Sequence, residues 1–201
     1  MRQRELEIRL EAVPHPPRPS AALEQYRTPT RIAADMLYRA LAWGDIADQS
    51  VMDLGCGTGM FAIGAMMLGA REALGVDVDG SSIELARETA TKMEVDATFE
   101  VRDINAVEGS FDTVVMNPPF GAQFGARHVD TLFVETALRV AHVAYSLHLA
   151  ENAAHFERLA LRLNVGWESL ARYDFPLPAQ FKFHTKERHI VPVVLYRFGP
   201  L

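Results

Sequence analysis

The sequence predicts a doubly wound α/β fold built on a sheet of seven strands. Three observations carry this expectation. Short apolar runs alternate with stretches of helical periodicity from Ser50 onward, the first run ends in a glycine-rich turn that opens a helix, and acidic residues follow three successive runs. Ligands of such sheets sit beyond the carboxyl ends of the strands.

Residues 2–12 set Leu6, Ile8 and Leu10 among charges and fit a short helix loosely, and Pro14 to Pro19 reads as an extended linker. A second helix follows Thr28-Pro29-Thr30, with either threonine a candidate cap and Ile32, Met36, Leu37, Ala40 and Leu41 as its buried stripe. Val51 to Leu54 is a buried strand, Gly55 to Gly59 a turn, and Met60 to Leu68 a helix. Ala73 to Asp77 is the second strand, and Ser81-Ser82 caps a helix to about Met93. Ala97 to Val101 and Phe111 to Met116 are strands three and four. Asn117 to Arg127 is a loop, Asp130 to Val140 a helix, Val143 to Leu147 strand five and Glu151 to Leu163 a helix. Trp167 to Tyr173 and His189 to Arg197 complete the sheet.

The 201 residues suit one domain with a sizeable core. No apolar run reaches the ~18 residues of a membrane span, and the first residues lack the apolar stretch of a signal peptide. A lone cysteine, Cys56, excludes an internal disulfide framework and a cysteine-built zinc site, so a reducing cytoplasm is expected. The net charge of −6 argues at first against a nucleic-acid partner. Its distribution softens the objection: residues 1–39 carry seven Lys/Arg against five Asp/Glu, 180–201 four against one, and 40–179 nine against twenty. Two basic ends on an acidic body can present a cationic rim to RNA, or merely solvate the surface.

Asp53-Leu54-Gly55-Cys56-Gly57-Thr58-Gly59 joins a strand to a helix, and its glycines let the backbone approach a ligand. Dinucleotide enzymes share such glycines, but their spacing is G-x-G-x-x-G, and Asp53 would oppose a pyrophosphate. A sulfonium ligand with an ammonium group, as in S-adenosylmethionine, tolerates that carboxylate. Asp77, at the tip of strand two, is placed to accept both ribose hydroxyls, with Asp79 the near alternative. Asp103 is placed to accept from an adenine amino group beside the Ile104 backbone, with a turn or cap aspartate as the alternative.

Asn117-Pro118-Pro119-Phe120 follows strand four and is the most specific signal. An amino nitrogen conjugated to a π system is a poor nucleophile. Two acceptors, the Asn117 side-chain oxygen and the Pro118 carbonyl, can bind its two N–H groups and aim its lone pair at a methyl donor, without a strong base. Pro119 helps fix the carbonyl, and Phe120 offers a face for an unpaired base. Gln25-Tyr26 reads alone as an amphipathic loop. Phe181 to Lys186 interleaves aromatics with cations, as stacking platforms for unpaired nucleotides do. His184 is a candidate base without an assignable partner, and Cys56 has no activating neighbour.

Together these residues resemble the methyltransferase-like protein five family, small-subunit rRNA N6-adenosine methyltransferases, in its archaeal type. The likeness runs from Leu6 to Phe198 and includes Leu23-Glu24-Gln25-Tyr26, the Asp53–Gly59 loop, Gly75 to Asp79, Met116 to Gly121, Tyr145 to His148 and Lys182-Phe183-His184. The resemblance implies a Rossmann-like class I S-adenosylmethionine-dependent fold. Residues 1–49 would be a helical, cofactor-covering extension and 50–201 the catalytic domain, in one compact body. It implies that Gln25, Thr28, Gly55, Thr58, Met60, Asp77, Asp103 and Ile104 line the cofactor site and that Asn117 to Phe120 hold the adenine. It implies roles in RNA contact for Tyr26, Lys182, Phe183 and His184, and a small zinc-binding adaptor pairing with the edge strand near Ala97–Val101. Thr58 stands where a cysteine occurs in relatives, and the basic stretch after His184 is thinner here. Rival readings are glutamine methylation in a translation factor, DNA adenine methylation, and a ribosome-assembly factor that binds cofactor without turnover.

Overall fold

The structure, a computed structural model, describes residues 1–16, 26–120, 129–178 and 188–200. Its elements are α1 (Gln3–Leu10), α2 (Thr30–Ala42), β1 (Ser50–Leu54), α3 (Met60–Met67), β2 (Glu72–Asp77), α4 (Gly80–Lys92), β3 (Thr98–Val101), β4 (Phe111–Met116), α5 (Val129–Val140), β5 (Ala141–Leu149), α6 (Ala153–Leu163), β6 (Trp167–Pro178) and β7 (Arg188–Phe198), with single 3₁₀ turns at Ile104–Ala106 and Ala150–Asn152. The seven strands form one sheet in the order β3-β2-β1-β4-β5-β7-β6. The first five neighbours run parallel, while β7 is antiparallel to β5 and β6. The strand order therefore reverses between β1 and β4, which opens a crevice beyond their carboxyl ends.

Alternation along the strands divides the core in two. On β5, Val143, Tyr145 and Leu147 face one layer with α1, α2, α3 and α4, whereas Ala144 faces the other with α5 and α6. Leu6 and Leu10 of α1 are completely buried in the first layer beside Leu37 and Ile63, so the N-terminal helices share a core with the sheet. Polar clasps add direction. Asp35 accepts from Tyr173 Oη at 2.5 Å, Arg39 Nε at 2.7 Å and Gln3 Nε2 at 3.2 Å, which ties α1, α2 and β6 together. Asp45 accepts from Tyr145 Oη at 2.7 Å and Arg197 Nε at 3.0 Å, and the Arg197 guanidinium lies 4.3 Å from the Trp43 ring centre.

The structure moves three sequence expectations. Neither Thr28 nor Thr30 caps α2: Pro29 is the N-cap and makes no side-chain cap bond, while the Thr30 hydroxyl donates to Glu11. Asp79, rather than Ser81 or Ser82, caps α4, accepting from Ser81 N at 3.0 Å. Strand β6 runs five residues past Tyr173 despite Pro176, because it is an edge strand and a missing N–H there costs no ladder bond.

Candidate active site

The three motif glycines all take left-handed backbone, with φ of 74° at Gly55, 51° at Gly57 and 88° at Gly59. A Cβ on Gly59 would also stand 2.6 Å from the Phe99 ring, so only glycine fits where the turn enters α3. Asp77 holds this turn from the tip of β2. Its carboxylate accepts from Gly57 N at 2.8 Å and from Asp79 N at 2.9 Å, and burial raises its pKa above the usual range despite those donors.

The crevice is a cavity of about 310 Å³, the size class of small-ligand sites. Gly55 to Thr58 and Met60 of the glycine turn line it, with Asp77 and Val78 after β2, Arg102 and Ile104 after β3, and Asn117 and Pro119 after β4. Pro16, Tyr26, Arg27 and Thr28 close it from the N-terminal segment. Part of the expected linker is thus cavity wall. Thr58 Oγ1 donates to the Pro14 carbonyl at 2.7 Å and Arg27 Nη2 to the Leu10 carbonyl at 2.9 Å, which lash that segment to the turn and to α1. At the carboxyl end of β4, Asn117 Nδ2 donates to Thr28 Oγ1 at 3.0 Å. Its Oδ1 is buried and accepts from nothing among the described residues.

The pattern of the methyltransferase small domain family matches residues 30–154. The rRNA N(6)-adenosine-methyltransferase METTL5 of Danio rerio is 36% identical over the whole of both chains. The uncharacterized protein MJ0284 of Methanocaldococcus jannaschii is 35% identical over all of this chain and 95% of its own. Among solved structures, PH1948 from Pyrococcus horikoshii, a candidate RNA methyltransferase, superposes with a TM-score of 0.91 at 33% identity, covering 100% of this chain and 98% of its own.

The chain belongs to the METTL5 family of methyltransferases. Within this family fold, the cavity brings together Thr28, Gly55, Gly57, Thr58, Met60, Asp77, Ile104, Asn117, Pro119 and Tyr26. Gln25, Lys182, Phe183 and His184 lie outside the described residues.

Four expected residues, Asp53, Asp103, Pro118 and Phe120, are not among those lining the cavity. Asp53 is 1% exposed beneath the glycine turn, where Oδ2 accepts from Phe61 N at 3.1 Å and Ala62 N at 3.0 Å. Oδ2 thus anchors the first turn of α3, whose N–H groups have no helical partner, while Oδ1 is buried without a partner among the described residues. Asp103 is exposed and caps its own 3₁₀ turn, Oδ1 accepting from Asn105 N and Nδ2, both at 2.8 Å; these bonds lower its pKa. Phe120 is 4% exposed and part of the core, so it does not present a free face. Its ring centre lies 5.2 Å from Tyr26 and 5.6 Å from Phe175, while Pro118 is buried and Tyr26 is the ring that borders the cavity. Sequence reasoning missed Phe175, Arg27 and Arg102; the Arg27-Thr28 pair, next to the quoted Gln25-Tyr26, was the available signal. Cys56 is 7% exposed, and burial, with Asp53 and Asp77 close by, holds its thiol pKa far above its ordinary value.

Burial also shifts Asp53 and His148. Burial raises Asp53 to about 7 against the pull of its two N–H donors. On β5, His148 is stacked on Phe156 with ring centres 3.6 Å apart and neither ring nitrogen bonded among the described residues; burial lowers its pKa to about 3. As pH falls from 6.5 to 4, the unfolded chain takes up a proton at His148 that the native state refuses, so this residue lowers stability by about 1.4 kcal/mol per pH unit. Over the same range native Asp53 holds a proton that the unfolded chain binds more weakly, which raises stability on acidification and opposes the loss. In His148→Phe only the second effect remains. Urea unfolding should show the stability of the variant relative to wild type growing by about 1.4 kcal/mol per pH unit below 6.5. A pH-independent difference would mean that native His148 is charged.

Proposed function

We propose that this chain transfers the methyl group of S-adenosylmethionine to the exocyclic N6 of an adenosine in ribosomal RNA. The observation that carries the reading is Asn117, which lines the same cavity as Asp77 and whose buried Oδ1 has no partner among the described residues. An orphaned acceptor in a low-dielectric wall is costly unless a donor arrives, and an amino N–H is such a donor.

The cavity residues fit the cofactor. The glycine turn leaves room for a ligand against its backbone, Asp77 retains acceptor capacity beside the Gly57 and Asp79 amides, and Val78 and Ile104 supply apolar walls for a purine. S-adenosylmethionine supplies an electrophilic methyl carbon. The chain's own residues orient the nucleophile: Asn117 Oδ1 and the Pro118 carbonyl accept its two N–H groups and free its lone pair from the ring. Tyr26, not Phe120, offers the face for the base, with Phe120 and Phe175 as its rigid backing. The names of METTL5 relatives from Danio rerio and Drosophila melanogaster point to rRNA as the acceptor.

The partner expected from the family resemblance, a small zinc-binding adaptor, would add a strand along β3. That strand is an edge of the sheet, with Val101 56% and nearby Val78 48% exposed. Co-purification should be lost in Val101→Glu; retention would place the adaptor elsewhere.

The function is tested by incubating the protein with methyl-labelled cofactor and ribosomal RNA and mapping the labelled nucleoside by mass spectrometry. N6-methyladenosine in RNA is expected. Label in a translation factor and none in RNA would replace this reading with glutamine methylation.

A further inference from the structure

The bond between Asn117 and Thr28 spans 89 positions of sequence and joins the N-terminal segment to the corner after β4. The backbone of that corner is constrained by Pro118 and Pro119, but an asparagine carboxamide turns freely about its last torsion, whose energy profile is broad and nearly two-fold. Its two ends have opposite hydrogen-bonding sense, so a half-turn would replace an acceptor with a donor. Thr28 Oγ1 is the partner the described residues give to Nδ2, while Oδ1 is left buried and unpaired. Thr28 is itself 7% exposed, and its neighbours are fixed: Arg27 is bonded to the Leu10 carbonyl, and Tyr26 packs on Phe120.

We infer that Thr28 is a positioning residue, whose hydroxyl oxygen, by accepting from Nδ2, holds the Asn117 carboxamide in place at the reaction corner. This rests on the proposed amino-group chemistry at Asn117. It assigns Thr28 a task in turnover that lining the cofactor cavity alone would not give it. Seating of residues 26–28 and competence of the reaction corner are then one event, since Tyr26 and Thr28 grip opposite ends of Asn117–Phe120.

The test compares Thr28→Val, which keeps the shape and loses the hydroxyl, with Thr28→Ser, which keeps it. With ribosomal RNA as acceptor, Thr28→Val should lower kcat by about tenfold or more, with KM for RNA and the calorimetric Kd for S-adenosylhomocysteine within about twofold of wild type, and Thr28→Ser should restore most of the rate. In protein carrying ¹⁵N-asparagine, the Asn117 side-chain NH₂ resonances should move in Thr28→Val and return in Thr28→Ser. Wild-type kcat in Thr28→Val, or a loss of rate that merely follows a loss of cofactor affinity, overturns the assignment. So do unmoved NH₂ resonances. The spectroscopic arm needs no turnover, so it judges the Thr28 contact even where wild-type protein leaves RNA unmethylated, the result that would sink the acceptor reading instead.

Discussion

Asn117→Ala should reduce methyl transfer by at least about 10²–10³-fold, the scale of deleting one preorganised polar contact to a reacting group. The loss should fall on kcat, because the missing oxygen binds the amine as its lone pair is being redirected, and cofactor affinity should change little. Folding should be nearly unaffected. The deleted carboxamide makes one bond to Thr28 and otherwise leaves a buried acceptor unpaired, so its removal relieves a desolvation cost while losing a single hydrogen bond. A melting curve beside single-turnover kinetics separates the two. Normal turnover in a folded Asn117→Ala would remove the carboxamide from the chemistry.

Asp77→Ala should weaken binding of S-adenosylhomocysteine by about 1–3 kcal/mol, the scale of hydrogen bonds to a charged group. Two effects act together. The carboxylate that would take the ribose hydroxyls also holds Gly57 N and Asp79 N, so its loss releases a turn kept in left-handed backbone. Asp77→Asn retains one acceptor and should lose less. Calorimetry that found full affinity in Asp77→Ala would shift the ribose contact to Asp79. That residue is already engaged, its carboxylate capping α4 through Ser81 N and accepting from the Ser82 hydroxyl at 2.7 Å.

The fold was legible because its signals are local. A strand, a glycine turn and a helix each impose a period or a punctuation on consecutive residues, and β1 to α4 repeat that pattern within about forty positions. What stayed hidden depends on partners distant in sequence. Phe120 reads as an exposed ring beside two prolines until Tyr26 and Phe175 arrive from other parts of the chain. Asp53 and Asp103 were correctly placed at strand ends, but identical aspartates serve helix termini and ligands, and only tertiary placement separates those uses. Residues 14–16 looked like a spacer because proline composition says nothing about the Thr58 hydroxyl that receives them. His148 gave no sign of its surroundings, since alternation on β5 assigns it a face and not a dielectric.

The sulfhydryl at Cys56 has a practical bearing on watching this molecule work. It is the one cysteine among 201 residues, buried within the glycine turn and kept in its unreactive protonated form. Maleimide reagents should therefore leave the folded protein unmodified. A lone replacement on the outer surface, such as Leu161→Cys at a position 73% exposed, would accept a single dye with no background, and RNA capture could be followed by fluorescence without altering any native thiol.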